Sequence, residues 1–300
     1  MIRYSTKSFK NELINSSRYR KFQDFHNLTL FRVRDILLVS SLYDSYIFEE
    51  EGRLYELIRK EYQGLNLSHS PELIQCSNGD EALEMVQEEN RFNLIIATQH
   101  IEDMPTIEFA KKVRRAGLDI PIVLLGYDNK EMAELVNHPE INVFDKVFIW
   151  QGDFRMIIGI IKFIEDRVNV KHDSQTVGVQ SIILIEDNIK FYSSYLPLIY
   201  TEVLKQSQAL ISEGINLSHK FLRMRARPKI LLCSTYEEAW QYYEKYRDFI
   251  LGIISDIDFA RNNKQDSKAG IAFAKDVKED QPDIPFLLQS NDPANEEAAY

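Results

Sequence analysis

The segment ILLVSS at residues 36–41 returns as IILIED at residues 182–187, and its neighbours return with it in the same order. ELIQCS at 72–77 answers KILLCS at 229–234, and DIPIVLLG at 119–126 answers DIPFLLQS at 283–290. GLNLSH at 64–69 answers GINLSH at 214–219. Matches in one order at a period of about 150 residues imply duplicated globular modules, since a solenoid repeats every ~20–50 residues.

Each strand-like run is short, continuous and apolar, the character of strands buried on both faces, and helical patterns lie between the runs. This β-α-β-α order predicts an α/β fold with one doubly wound parallel sheet per module. In the first copy strands are expected near 35–40, 72–76, 92–98, 120–126 and 146–150. Helices are expected near 47–63, 79–89, 106–116, 130–137 and 153–168, with Gly64 as a left-handed cap. In the second copy strands are expected near 181–186, 229–234, 249–255 and 284–290, with a long helix near 193–213 ended by Gly214. Its fifth strand and helix would fall beyond Tyr300, which marks the chain as a fragment of a longer protein. The division that follows is a lead-in over 1–34, a first module over 35–170, a polar linker over 171–180 and a C-terminally incomplete second module over 181–300.

At 300 residues the chain has room for two hydrophobic cores. A net charge of -10 repels a phosphate backbone, which speaks against nucleic acid as a partner. The N-terminus has no apolar signal stretch, and no run approaches the ~18 residues of a membrane span, so a cytoplasmic protein without membrane contact is expected. Cys76 and Cys233 sit in strand-like runs without the paired spacing of a metal or redox site, and read as buried hydrophobes. The basic run Lys220, Arg223, Arg225, Arg227 and Lys229 reads as a solvated face near a helix end, and His69 and His219 as turn partners. Residues 156–164 are apolar around more of a helix than one sheet contact requires. A second burial surface is expected there, with Ile157, Ile160, Ile161 and Ile164 as the patch of a homodimer.

In doubly wound sheets ligands sit beyond the carboxyl ends of the strands, at the switch point. Glu186 and Asp187 end the first strand of the second copy and Asp256 ends the third, so three carboxylates are expected in one crevice. Close together they raise one another's pKa, and a hard divalent cation relieves the repulsion. Mg²⁺ is the expected occupant, with oxygens from Asp187, Asp256 and the backbone carbonyl of Asp258, and with Glu186 acting through water. Ser290, ending the fourth strand, could donate its hydroxyl to a phosphoryl oxygen.

The strands SIILIEDN, ILGIISDID and DIPFLLQS resemble the signature strands of response-regulator receiver domains, over residues 181–300 and less specifically over 35–170. The resemblance implies flavodoxin-like sheets in strand order 2-1-3-4-5, the second lacking its fifth strand here. It implies Glu186 and Asp187 as the metal-binding pair and Asp256 as acceptor of a phosphoryl group from a histidine kinase or phosphotransfer protein. Ser290 would be the switch hydroxyl, and the chain would turn over no substrate of its own. Receivers carry a glycine soon after the aspartate, whereas here it is delayed to Gly270, which implies an enlarged loop over the site. The receiver lysine would lie beyond Tyr300.

The same alignment puts Ser40 and Ser41 where the acidic pair belongs, Thr98 for the aspartate, Gly126 for the hydroxyl and Trp150 for the lysine. Every charged role is gone, so the first copy reads as a pseudo-receiver used for docking or dimerisation. The extended first helix and residues 198–232 resemble bacterial proteins in which tandem receivers precede a phosphoenolpyruvate-synthase-like phosphotransfer region, which implies an output region after Tyr300. The competing reading is a non-phosphorylated pseudo-receiver pair acting as a structural module of such a protein. A flavin- or nucleotide-binding reading lacks the Gly-rich or Ser/Thr-rich phosphate loop after the first strand of either copy.

Overall fold

The computed structural model describes residues 28–49, 53–65, 67, 69–209 and 224–290. The first sheet has five parallel strands: β1 (Asp35–Val39), β2 (Glu72–Cys76), β3 (Leu94–Thr98), β4 (Ile122–Gly126) and β5 (Lys146–Ile149). They lie in the order 2-1-3-4-5. The connecting helices are α1 (Leu42–Glu49), α2 (Leu54–Gly64), α3 (Gly79–Glu88), α4 (Thr106–Arg115) and α5 (Lys130–Val136), and α6 (Arg155–Val177) leaves β5. The second sheet is built from β6 (Ser181–Ile185), β7 (Lys229–Cys233), β8 (Ile250–Asp256) and β11 (Phe286–Gln289). Its order β11-β8-β6-β7 repeats the first sheet over four strands. Its helices are α7 (Ile189–Ala209), α8 (Tyr236–Tyr246) and α9 (Ala269–Asp280), and a hairpin of β9 (Phe259–Arg261) and β10 (Lys264–Asp266) follows β8. Both sheets are thus flavodoxin-like α/β structures, and β3 and β4 are buried at every position because helices cover both their faces.

The cores differ from the expectation of two self-contained units. Leu37, Val39, Ile95, Ala97 and Leu124 pack one face of the first sheet under its own helices. The opposite face, carrying Ile36, Leu38, Ile96, Val123 and Phe148, shares one continuous core with Leu184, Ile230 and Leu232 of the second sheet. Helix α6 runs through that core, with α7 packed against it at Gly159 and Pro197. Ile157, Ile160, Ile161 and Ile164 are therefore covered inside the chain and form no exposed dimer patch. The second surface foreseen for this helix is the other module, and burying each such side chain contributes about 1.5–3 kcal/mol.

Helix α6 also runs nine residues past the position expected from its apolar pattern, through the segment read as a linker, to Val177. Gly178, at φ 75°, ends it in the left-handed conformation, with the Gly178 and Val179 N–H groups bonded to the carbonyls of Ser174 and Asp173. Polar residues along one side of this helix, Asp173 of the expected linker among them, are buried because they have partners. Glu165, Asn169 and Asp173 accept the backbone N–H groups of Val33, Phe31 and Thr29, and so pin the lead-in along the helix. Asp166, with no exposed surface, accepts both guanidinium nitrogens of Arg227 at 2.8 and 2.9 Å, the Ile230 N–H at 2.9 Å and the Tyr200 hydroxyl at 3.1 Å. Lys229 reaches Asp173 at 2.8 Å.

Two further expectations change. Arg227 and Lys229 are buried ion-pair members rather than part of a solvated basic face. Gly64 closes α2 without entering the left-handed region. Lys220, Arg223, Gly214 and His219 lie outside the described residues. No described helix is long and apolar enough to cross a membrane.

Because Asp166 and Arg227 are both buried, Asp166→Ala leaves the Arg227 charge away from water without its carboxylate. A loss of about 3–5 kcal/mol in unfolding free energy is expected, measured by urea denaturation followed by circular dichroism. A loss below about 1 kcal/mol would show that the network is incidental.

Candidate functional site

The acidic crevice follows from strand direction. β6 and β8 are parallel neighbours, so the residues that follow β6 and the residue that ends β8 emerge at the same sheet edge. Oxygens of Glu186, Asp187 and Asp256 lie within 4.8 Å of one another. Glu186 is 1% exposed, while Asp187 and Asp256 are half-buried. Glu186 accepts the Asn188 N–H at 3.1 Å and the Gln289 amide at 3.4 Å. Asp256 accepts the Ile257 N–H at 2.7 Å.

Burial, and then the neighbouring carboxylates, push all three acids above their ordinary range, Glu186 to about 7. Such a set fits a hard divalent cation, because a cation offsets both the desolvation and the mutual repulsion. Mg²⁺ suits such oxygen-only donors, and Glu186, Asp187 and Asp256 could hold it.

Asp258 begins the turn into the hairpin and is exposed, its carboxylate accepting from Gln265 at 2.9 Å. Gln265 also donates to Asp187 at 3.2 Å, so β10 leans over the crevice. The enlarged loop is thus an ordered hairpin. Its two-residue turn uses Asn262 and Asn263, both at positive φ, as a type I′ turn requires. Gly270 restores the geometry beyond it. A Cβ there would sit 2.1 Å from the Asp256 carbonyl oxygen, so only glycine lets α9 start against the backbone of the acidic strand. Ser290 follows β11 at the exposed rim, one residue beyond Gln289, which is in register with Asp256.

In the first module Ser40, Ser41 and Thr98 occupy the matching strand ends and are buried. Thr98 donates to the His100 carbonyl at 2.8 Å, and the Ser40 hydroxyl has no hydrogen-bond partner among the described residues. At Gly126 a Cβ would stand 2.5 Å from the Met132 sulfur, so no hydroxyl side chain fits without displacing it. Trp150 is buried where a lysine would stand.

A carboxylate nevertheless enters this crevice from α1. Asp44, fully buried, accepts the His100 N–H at 3.1 Å and lies 3.2 Å from its Nδ1, while Nε2 faces Glu131 at 3.1 Å. Burial lowers the imidazole pKa, but the hydrogen bonds to Asp44 and Glu131 outweigh it and raise His100 above its ordinary value. Asp44 carries no strand-end signal in the sequence because a helix bears it. The hairpin had a legible signal in Asn262-Asn263 between polar strand residues.

No family model and no curated protein matches the sequence. Solved structures similar to the chain include the signal receiver domain assigned to a Luxo repressor protein from Vibrio parahaemolyticus. It is 11% identical and covers 47% of this chain and 96% of its own, with a TM-score of 0.35. The signal receiver domain of an HD domain-containing protein from Pseudomonas fluorescens Pf-5 is 18% identical over 47% and 97%, with a TM-score of 0.31. GanP, a glucose-galactose binding protein from Geobacillus stearothermophilus, is 15% identical over 88% and 79%, with a TM-score of 0.24. At these scores the fold rests on the strand order and connections themselves.

The raised pKa of Glu186 has a signed consequence for stability. A carboxyl whose pKa is higher folded than unfolded costs nothing while protonated in both states. Its stabilisation of the native state is lost as pH rises from its ordinary 4.5 through about 7. In magnesium-free buffer, Glu186→Gln should therefore gain on the order of 2 kcal/mol over wild type at about pH 8 relative to about pH 5. Paired thermal melts check this, and a constant difference between the two proteins across that range would contradict it.

Proposed function

We propose that the second module is a two-component phosphoacceptor, modified at Asp256 by a histidine kinase or phosphotransfer protein with Mg²⁺ bound beside it. The convergence of Glu186, Asp187 and Asp256 at one sheet edge carries this reading. A carboxylate oxygen of Asp256 attacks phosphorus in line, the Asp256 O–P bond forms as the donor's N–P bond breaks, and the electron pair returns to the donor imidazole. Asp187 and Asp256, with Glu186 beside them, would hold the metal, which when bound would supply positive charge for the phosphoryl oxygens. The chain's own residues position the acceptor. The Ile257 N–H fixes the Asp256 carboxylate, Gln265 holds Asp187, and the crevice lies beside β11, where Ser290 is the switch hydroxyl.

In this reading the chain works in the cytoplasm as a phosphorylated signalling module, not as an enzyme. The signal passes to an output region beyond Tyr300. The first module, its crevice filled by Asp44 and His100 and its face shared with α7, is the scaffold that docks or pairs the assembly. Any homodimer must use a surface other than the four buried isoleucines.

Beryllofluoride with Mg²⁺, a phosphoryl mimic, should raise the melting temperature of the full chain. A ligand at a hundred times its dissociation constant contributes about 2.7 kcal/mol. Asp256→Asn should abolish the rise and Thr98→Ala should leave it intact. An equal rise in Asp256→Asn would contradict the assignment.

A further inference from the structure

At the opposite pole from the acidic crevice, the amino ends of β1, β2 and β7 border a cavity of about 440 Å³. Its wall comes from both modules: Arg32 and Val33 of the lead-in, Tyr62 of α2, Leu67, and Met224 and Arg225 ahead of β7. The size lies in the range of small-molecule sites, roughly 300–1,000 Å³.

Three features point to an anion. The cavity is rich in cations, and the acids around it are already matched. Lys162 pairs with Glu165 at 2.6 Å, Arg227 with Asp166, and Lys229 with Asp173, while Asp35 and Glu72 each lie 3.8 Å from Arg91. Among the described residues Arg32 and Arg34 have no carboxylate within ion-pair distance. Second, Arg32 and Arg225 face each other's charge. Burial first, and then cationic neighbours, lower both guanidinium pKa values, Arg34 acting on Arg32, and Arg32 acting on Arg225 to bring it to about 10. Third, the Tyr62 hydroxyl is buried at this cavity with no hydrogen-bond partner among the described residues, at 3% exposure of the residue. A buried phenol without a partner is costly, and a bound acceptor removes the cost. Val33, Leu67 and Met224 give the same cavity an apolar wall.

We propose that this inter-module cavity binds a phosphate-bearing small molecule of mononucleotide size, with its phosphate between Arg32 and Arg225, its remainder against Val33, Leu67 and Met224, and the Tyr62 hydroxyl donating to it. Two arginines suit phosphate because their planar forks donate in pairs. Since its contacts come from the lead-in, α2 and the segment before β7, the ligand would hold the two modules together. The site is independent of the acidic crevice.

The test is calorimetric titration of the full chain in magnesium-free buffer with adenosine monophosphate, pyrophosphate and adenosine. Adenosine monophosphate should bind saturably and adenosine should not. Pyrophosphate should compete, which identifies the phosphate as the recognised group. Arg32→Gln and Arg225→Gln should each weaken binding by on the order of ten- to a hundredfold. Tyr62→Phe, which keeps the ring and its packing, should weaken it less, and Asp256→Asn should leave it unchanged. Absence of saturable binding by both phosphate probes would overturn the proposal, as would binding that survives both arginine substitutions in folded protein.

Discussion

A single buried carboxylate ties the molecule together. Asp166 stands on a helix whose apolar side is committed to the first sheet, and its oxygens are committed to the second module through Arg227, Ile230 and Tyr200. Buried ion pairs add little net stability, because desolvation offsets their attraction, but they are expensive to break. Any relative placement of the modules that left Asp166, Arg227 and Lys229 in the interior without one another would incur that cost. The apolar core between the sheets supplies the driving force, and the charged network restricts it to one arrangement.

That constraint bears on the structural difference between the two copies. The face of the first sheet that a self-contained module would cover with its own helix is here part of a core shared with its neighbour. The carboxyl edge of the first sheet is closed by Asp44, His100 and the Met132 side chain under Gly126. The second copy keeps an acidic edge, roofed by a hairpin and opened to a close backbone approach at Gly270. One copy closes its carboxyl edge with packed side chains, and the other leaves an acidic crevice at the same place.

The strands were legible in the sequence because nearly every residue of β1, β3, β4 and β6 is apolar, which only a doubly covered parallel sheet requires. The acidic cluster was legible for a related reason, since residues that end parallel neighbours must share an edge. The end of α6 was not legible. Asn169 and Asp173 are polar residues beyond the apolar run, and the partners that bury them lie more than a hundred residues away, at Phe31 and Thr29. The same non-local pairing hid Arg227 and Lys229, whose run of basic neighbours suggested an exposed face. Asp44 was hidden because a helix, rather than a strand end, delivers it to the crevice.

The shared core makes the two modules one cooperative unit built around α6. The chain has two tryptophans, Trp150 at the end of the first sheet and Trp240 in α8 of the second module, so each can report on one half. Urea unfolding of Trp150→Phe and Trp240→Phe, each followed by its remaining tryptophan and by circular dichroism, measures the coupling directly. Transitions that coincide for all probes are predicted. Separate transitions, with the second module melting while the first keeps its native signal, would contradict the shared core.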